Sequence, residues 1–293
     1  MTVSASTTPA ATPDGRRAAL VSLAPDTRPL TTGGVLRAVS RLVLAVMWTL
    51  PSIPLQAALV ALPGQGNVAF GAFYHRVLCR ILGVKVRVVG QAAQGSKVLF
   101  LSNHSSWLDI PVLGGVLGAP FVSKADVGEW PVVGLIARLG RTVFVSRTRG
   151  RTGEEAAGMR ERLAAGDSLV LFPEGTSSDG GRVLPFRSAF LGVAEMAKLV
   201  QPVSVVYDRL GGLPVARRDR AHFAWFGDMD IGSHFWRLAR RSGGGVTVLL
   251  HEPVDPHAFP NRKVLTQAVE RVVAEGAATL RQNRPGRPLS ALG

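Results

Sequence analysis

The chain has 293 residues, 46% of them apolar, enough for one large domain or two small ones around a sizeable core. Its net charge is +14, and apart from Lys85, Lys97, Lys124, Lys198 and Lys263 every basic side chain except histidine is an arginine. An anionic partner is therefore expected: nucleic acid, an anionic membrane face or a phosphorylated substrate. The single cysteine, Cys79, excludes an internal disulfide and a cysteine-rich metal site.

Residues 1–34 are rich in Thr, Ala, Pro and Ser without apolar periodicity; they are expected as a disordered tail with no signal peptide. From Leu42 to Leu62 the chain carries no charge, close to the ~20 residues a helix needs to cross hydrocarbon. Pro51 and Pro54 each remove a backbone donor within that run. A kinked helix or a shallow helical hairpin in one leaflet therefore competes with a straight span, and a buried core helix is the remaining alternative. Arg37 and Arg41 on one side, with His75, Arg76 and Arg80 on the other, suit a segment that enters and leaves on the cytoplasmic side beside anionic lipid. Phe70, Phe73, Tyr74, Val77, Leu78 and Leu82 recur at helical spacing and predict a second, amphipathic helix in the interface. Residues 35–83 are thus expected to anchor the chain to a membrane.

At Val84 the period changes. Val84, Val86 and Val88 alternate with Lys85 and Arg87, as in a half-buried strand. Further strands are predicted at 97–102, 120–123, 141–146, 168–172, 200–207 and 246–250, with helices at about 107–117, 130–138, 151–165, 188–198 and 261–282. Such alternation predicts an α/β domain over residues 84–284, its mixed and mostly parallel sheet flanked by helices. The stretch 208–244 shows no clear period and receives no assignment, and residues 285–293 are expected as a loose tail.

Two segments, each directly after an apolar run, carry the chemistry. In Asn103-His104-Ser105-Ser106-Trp107-Leu108-Asp109, a histidine leaves a strand with an aspartate five residues on. A histidine so placed takes a proton from a hydroxyl near neutral pH, and the carboxylate fixes its tautomer. Taken alone, the pattern also reads as a helix start, with Ser105 or Ser106 as cap and Asp109 in the first turn. The second segment, Phe172-Pro173-Glu174-Gly175-Thr176, by itself reads as an ordinary strand-to-loop turn. No zinc-protease helix, P-loop, dinucleotide fingerprint or G-x-S-x-G elbow is present, and neither a metal nor a resident cofactor is expected.

In combination these blocks resemble the glycerolipid (lysophospholipid) acyltransferase family. The family's signature opens with N-H-x-x-x-x-D, followed here by Gly140-Arg141-Thr142-Val143-Phe144-Val145-Ser146-Arg147, then the Phe172–Thr176 block, then Val200-Gln201-Pro202-Val203-Ser204-Val205. The resemblance covers about residues 84–210 and implies the glycerolipid acyltransferase fold. It implies transfer of an acyl group from an acyl carrier protein or coenzyme A thioester to the free hydroxyl of a lysolipid, at the cytoplasmic face of the inner membrane. His104 would be the base and Asp109 its orienting partner. Asn103, Lys124, Arg147, Glu174, Gly175, Thr176, Ser177 and Arg187 would bind substrate, and amides near Gly175 or after Phe172 would serve the oxyanion.

One departure bears on the acceptor. Phosphatidate-forming members usually continue the third block with arginine, where this chain has Ser177. A hydroxyl cannot replace a bidentate phosphate clamp. The run Phe172–Gly180, Val200–Ser204 and Trp225–Asp230 look like the branch that acylates lyso-ornithine lipid. Asp228 or Asp230 is a candidate partner for a headgroup amine, and Arg182 or Arg187 for the anion. Two other classes compete: a non-catalytic membrane-surface lipid-binding protein, and a nucleic-acid binder. The uncharged run 42–62 disfavours the second, which has no use for it.

Overall fold

The computed structural model describes residues 31–145 and 152–292, so residues 1–30 of the expected tail lie outside it, as does Arg147. The first helix, α1 (Thr32–Ala61), is capped by Thr31, whose hydroxyl accepts the Gly34 amide. It runs through both prolines, is long and apolar enough to cross a membrane, and has a mean hydropathy of 1.7. After a short turn α2 (Gly66–Ile81) returns antiparallel to it. The Trp48 indole donates to the Tyr74 carbonyl at 3.2 Å, Thr49 and Tyr74 share a 2.9 Å hydrogen bond, and Gln56 donates to the Asn67 carbonyl at 3.1 Å. The uncharged run is therefore one continuous helix, and the hairpin forms between α1 and α2 rather than within that run.

Its outer face is bare, with Met47 66% and Leu50 61% exposed, which rules out the buried core helix. Two of the flanking cations, Arg37 and Arg41, are held by the domain. Arg37 donates to the Arg240 carbonyl, while Arg41, buried, donates to the carbonyls of Ala239 and Arg241. These close the orphan carbonyls at the end of a helix at Ile231–Ala239 and fasten α1 to the domain. At its other end Gln56 donates to the Leu139 carbonyl. The helix thus lies along the protein with one face outward.

The remaining elements follow in chain order: β1 (Val84–Val89), β2 (Val98–Ser102), α3 (Asp109–Leu117), β3 (Val122–Lys124), α4 (Ala125–Glu129), α5 (Pro131–Leu139), β4 (Val143–Val145), α6 (Thr152–Ala164), β5 (Leu169–Leu171), β6 (Leu199–Leu210), β7 (Leu213–Pro214), α7 (Ile231–Ala239), β8 (Gly244–Leu250) and α8 (Arg262–Arg281). The main sheet has the order β1-β8-β6-β2-β5, with β7 hairpinned to β6. Only β6 runs antiparallel to β8 and β7; β1–β8, β6–β2 and β2–β5 are parallel. A mixed, mostly parallel sheet flanked by helices is what the sequence pattern predicts. The pair β3–β4 forms a separate small parallel sheet.

Every residue of β2 is buried, because both faces of the sheet are covered. Leu99 and Leu101 meet Leu265, Val269 and Val273 of α8 in one cluster. Val98 and Phe100 meet Val112 and Leu113 of α3, together with Cys79 and Leu82 at the end of the hairpin, in the other. The end of α2 is thus part of the core. That helix sits close to α3 because Gly114 and Gly115 carry no side chain: a Cβ on Gly114 would stand 2.4 Å from the His75 ring.

Two expectations need correction, and one unassigned stretch is filled in. Residues 188–196 form a 3-10 helix rather than an α-helix. The unassigned stretch 208–244 holds the end of β6, β7, a 3-10 turn at Arg217–His222 and α7. Residues 285–292 are not loose: Leu289 pairs with Glu252 and His251 through hydrogen bonds of 3.0 and 3.2 Å, and Ala291 is buried.

Candidate active site

Parallel pairing of β2 with β5 aligns Leu101 with Leu171, so the chain leaves both strands at the same edge. His104 follows one strand by two residues, and Phe172 and Glu174 follow the other. Carboxyl ends of adjacent parallel strands are where open α/β sheets place their ligands.

The His104 Nδ1 lies 2.8 Å from Asp109 Oδ2. The same oxygen accepts the amides of Ser105 and Ser106 at 2.8 and 2.9 Å, and Oδ1 accepts the Tyr207 hydroxyl at 2.7 Å. Asp109 is wholly buried, with four donors compensating its charge. Burial first, then the Asp109 charge, hold the Tyr207 phenol well above its ordinary pKa, so it remains a donor. With Nδ1 bonded to a carboxylate, the lone pair falls on Nε2, the tautomer that accepts a proton. The ring stacks on Phe172 at 4.2 Å between centroids, and its side chain keeps 19% exposure. Phe172 opens the third sequence block, whereas Tyr207 lies outside all four. The hint for Tyr207 is its place on the inward face of β6 with Val203 and Val205.

Two of the expected substrate-binding residues face inward. Asn103 brackets Val205 of β6, donating to its carbonyl at 2.9 Å and accepting its amide at 2.7 Å. Glu174 is 2% exposed, its two oxygens accepting the amides of His104 at 2.7 Å and Leu184 at 2.9 Å. Burial pushes its carboxyl up to about 8 against the pull of those amides. Both residues fix the His104 loop to its neighbours.

Gly175 takes φ +70°, a conformation that favours glycine, and spends its amide on the Phe172 carbonyl at 3.0 Å. It is therefore not an oxyanion donor. Thr176 is exposed and Ser177 half-buried just beyond, and the Ser178 amide donates to the His104 carbonyl at 2.9 Å. Arg187 is exposed, with its amide on Pro173. Lys124 lies at the exposed end of β3 and makes none of the dyad's hydrogen bonds. Arg141 pairs with Asp167 at 2.6 Å, and Asp230 caps α7 through the Ser233 amide, so neither is held ready for a headgroup.

An apolar cleft of about 850 Å³ lies between the hairpin, α5 and β3, walled by Val68, Ala72, Ile110, Phe121, Val133 and Ile136 among others. Neither dyad side chain lines it, but its wall adjoins theirs: Ile110 follows Asp109, and Phe121 stacks on Phe172, which in turn stacks on His104.

Residues 84–206 match the family model described as "Acyltransferase". The chain is 39% identical over 237 residues to a lyso-ornithine lipid O-acyltransferase of Brucella abortus (strain 2308), covering 78% of this chain and 89% of that one. It is 37% identical to the protein of the same name from Rhizobium meliloti (strain 1021), covering 77% and 80% respectively. In fold it is similar to the 1-acyl-sn-glycerophosphate acyltransferase of Thermotoga maritima, with a TM-score of 0.65 at 23% identity over 87% of this chain and 98% of that one. With this match over the residues that build the dyad, and this identity over most of both chains, the protein belongs to the acyltransferase family.

Proposed function

We propose that the chain is a membrane-bound O-acyltransferase that moves a fatty acyl group from a thioester to the free hydroxyl of a lysolipid, with lyso-ornithine lipid as acceptor. The observation that carries this reading is the His104 ring, fixed by a fully buried Asp109 and open on one side. The acceptor hydroxyl gives its proton to His104 Nε2 as its oxygen attacks the thioester carbonyl. The resulting oxyanion is met by the amides of Thr176 and Ser177, which have no acceptor among the described residues. Collapse breaks the carbon–sulfur bond, and the imidazolium returns its proton to the departing thiolate. Asp109 stays ionised throughout.

The apolar cleft suits a fatty chain, and the bare outer face of α1 suits insertion into one leaflet without crossing, since both of its ends are tied to the domain. That insertion would set the dyad at the cytoplasmic face of the cell membrane. The charge of +14 favours anionic lipid and an acidic thioester carrier, acyl carrier protein or coenzyme A.

A competition assay tests the acceptor: the purified full chain in detergent receives an acyl thioester with lysophosphatidate and lyso-ornithine lipid at equal concentration. Mass spectrometry is expected to find diacyl ornithine lipid as the main product. Phosphatidate as the main product would overturn the acceptor, and no diacyl lipid of either kind would overturn the function.

A further inference from the structure

Arg182, Arg220 and Arg281 come from three distant stretches: the loop after Glu174, the 3-10 turn at Arg217–His222 and the last residue of α8. They converge on one cleft of about 370 Å³ that Ser105, Ser178 and Tyr207 also line. Those three residues hold the dyad, two by bonding Asp109 and one by bonding the His104 carbonyl. The cleft is therefore one residue layer from the reacting centre.

Some arginines elsewhere in the described structure find side-chain partners, Arg41 on carbonyls, Arg87 on Asp208, Arg141 and Arg162 on Asp167, and others, Arg187 and Arg237 among them, find none. The three in the cleft make no side-chain hydrogen bond or salt bridge among the described residues. Arg220 and Arg281 are half-buried, and burial followed by the charge of Arg220 lowers the pKa of Arg281. Arg182 is exposed, and the two half-buried like charges beside it are stabilised by an anion.

The choice of anion follows from the acid nearby. Asp179 lies between Ser178 and Gly180, which both line the cleft, and acts electrostatically on both Arg220 and Arg281. An acid at the rim repels a phosphate dianion but pairs with an ammonium, and Ser177 adds no charge to hold phosphate. Ornithine, linked to a lipid through its α-nitrogen, keeps both a carboxylate and an ammonium.

We propose that Arg182, Arg220 and Arg281 form a headgroup subsite that binds the carboxylate of an amino-acid lysolipid, with Asp179 facing its side-chain ammonium. The proposal rests on the lysolipid reading above and adds the residues that select the headgroup.

The test compares lyso-ornithine lipid, its carboxyl methyl ester and the corresponding norvaline lipid, which lacks the amine, on the full-length wild type, Arg220→Gln, Arg281→Gln and Asp179→Asn. For the wild type, esterification is expected to raise the acceptor KM by about tenfold or more while kcat changes little. The two arginine variants should raise KM for the free acid to a similar degree and treat acid and ester alike. Asp179→Asn should raise KM for the ornithine lipid and leave the norvaline lipid unchanged. The KM of the thioester donor should move in none of them. Wild type that acylates acid and ester equally well overturns the subsite while leaving the acyltransferase reading intact. A shift in donor KM assigns the arginines to the carrier and also overturns it. Wild type that acylates none of the three lipids overturns the reading beneath.

Discussion

His104→Ala is expected to lower the rate of acyl transfer by about 10²–10⁴-fold, the span that a positioned general base supplies. The loss should fall on kcat, because the imidazole matters when the hydroxyl proton moves rather than when the lipid docks. The protein should still fold. The side chain makes one hydrogen bond and one ring stack at the edge of the sheet, so its removal costs about 1–2 kcal/mol against a typical 5–15 kcal/mol of stability. Circular dichroism alongside steady-state kinetics separates the two effects. An unfolded variant would say nothing of the base, so retention of the wild-type spectrum is part of the expectation.

The second large effect is expected at Asp109, where two substitutions should fail in different ways. Asn keeps the shape, and its oxygen still accepts from His104, Ser105 and Ser106, while the Tyr207 hydroxyl turns to accept from the new amide. The charge that stabilises the imidazolium is gone, so Asp109→Asn should stay folded and lose on the order of 10²–10⁴-fold in kcat. Ala leaves four buried donors without an acceptor, at about 1–3 kcal/mol each. Asp109→Ala should therefore lower the thermal midpoint steeply or fail to fold. Equal activity of the Asn variant and wild type would show that the carboxylate is only a structural bracket.

Much of the fold was legible because its strands are short apolar runs in a sheet covered on both faces. The His104/Asp109 spacing was legible because the pair is local: Asp109 opens α3 and reaches back to the loop that precedes it. What the sequence hid depends on distant partners. Asn103 and Glu174 read as acceptor-binding residues by motif, but their partners are amides on β6 and around Leu184, which no local pattern reveals. Arg37 and Arg41 read as lipid contacts until α7 appears beneath them, and α7 itself is a nine-residue helix in an arginine-rich stretch. Its Asp230 cap and the Trp107 indole bond to His234 hold it in place. The prolines of α1 signalled a break, but the hydrogen bonds to Tyr74, Asn67 and Leu139 keep the helix continuous. Arg220 and Arg281 lie 61 residues apart in sequence and meet only in the folded chain.

With His104 as base, the lipid hydroxyl itself attacks the thioester and no acyl-enzyme forms. Intact-mass spectrometry of the purified protein, acid-quenched after incubation with an acyl thioester in the absence of acceptor, tests it most directly. The mass of the unmodified chain is expected, with diacyl lipid formed only when a lysolipid is added. A chain heavier by one acyl group, with that label discharged to lysolipid on addition, would contradict it.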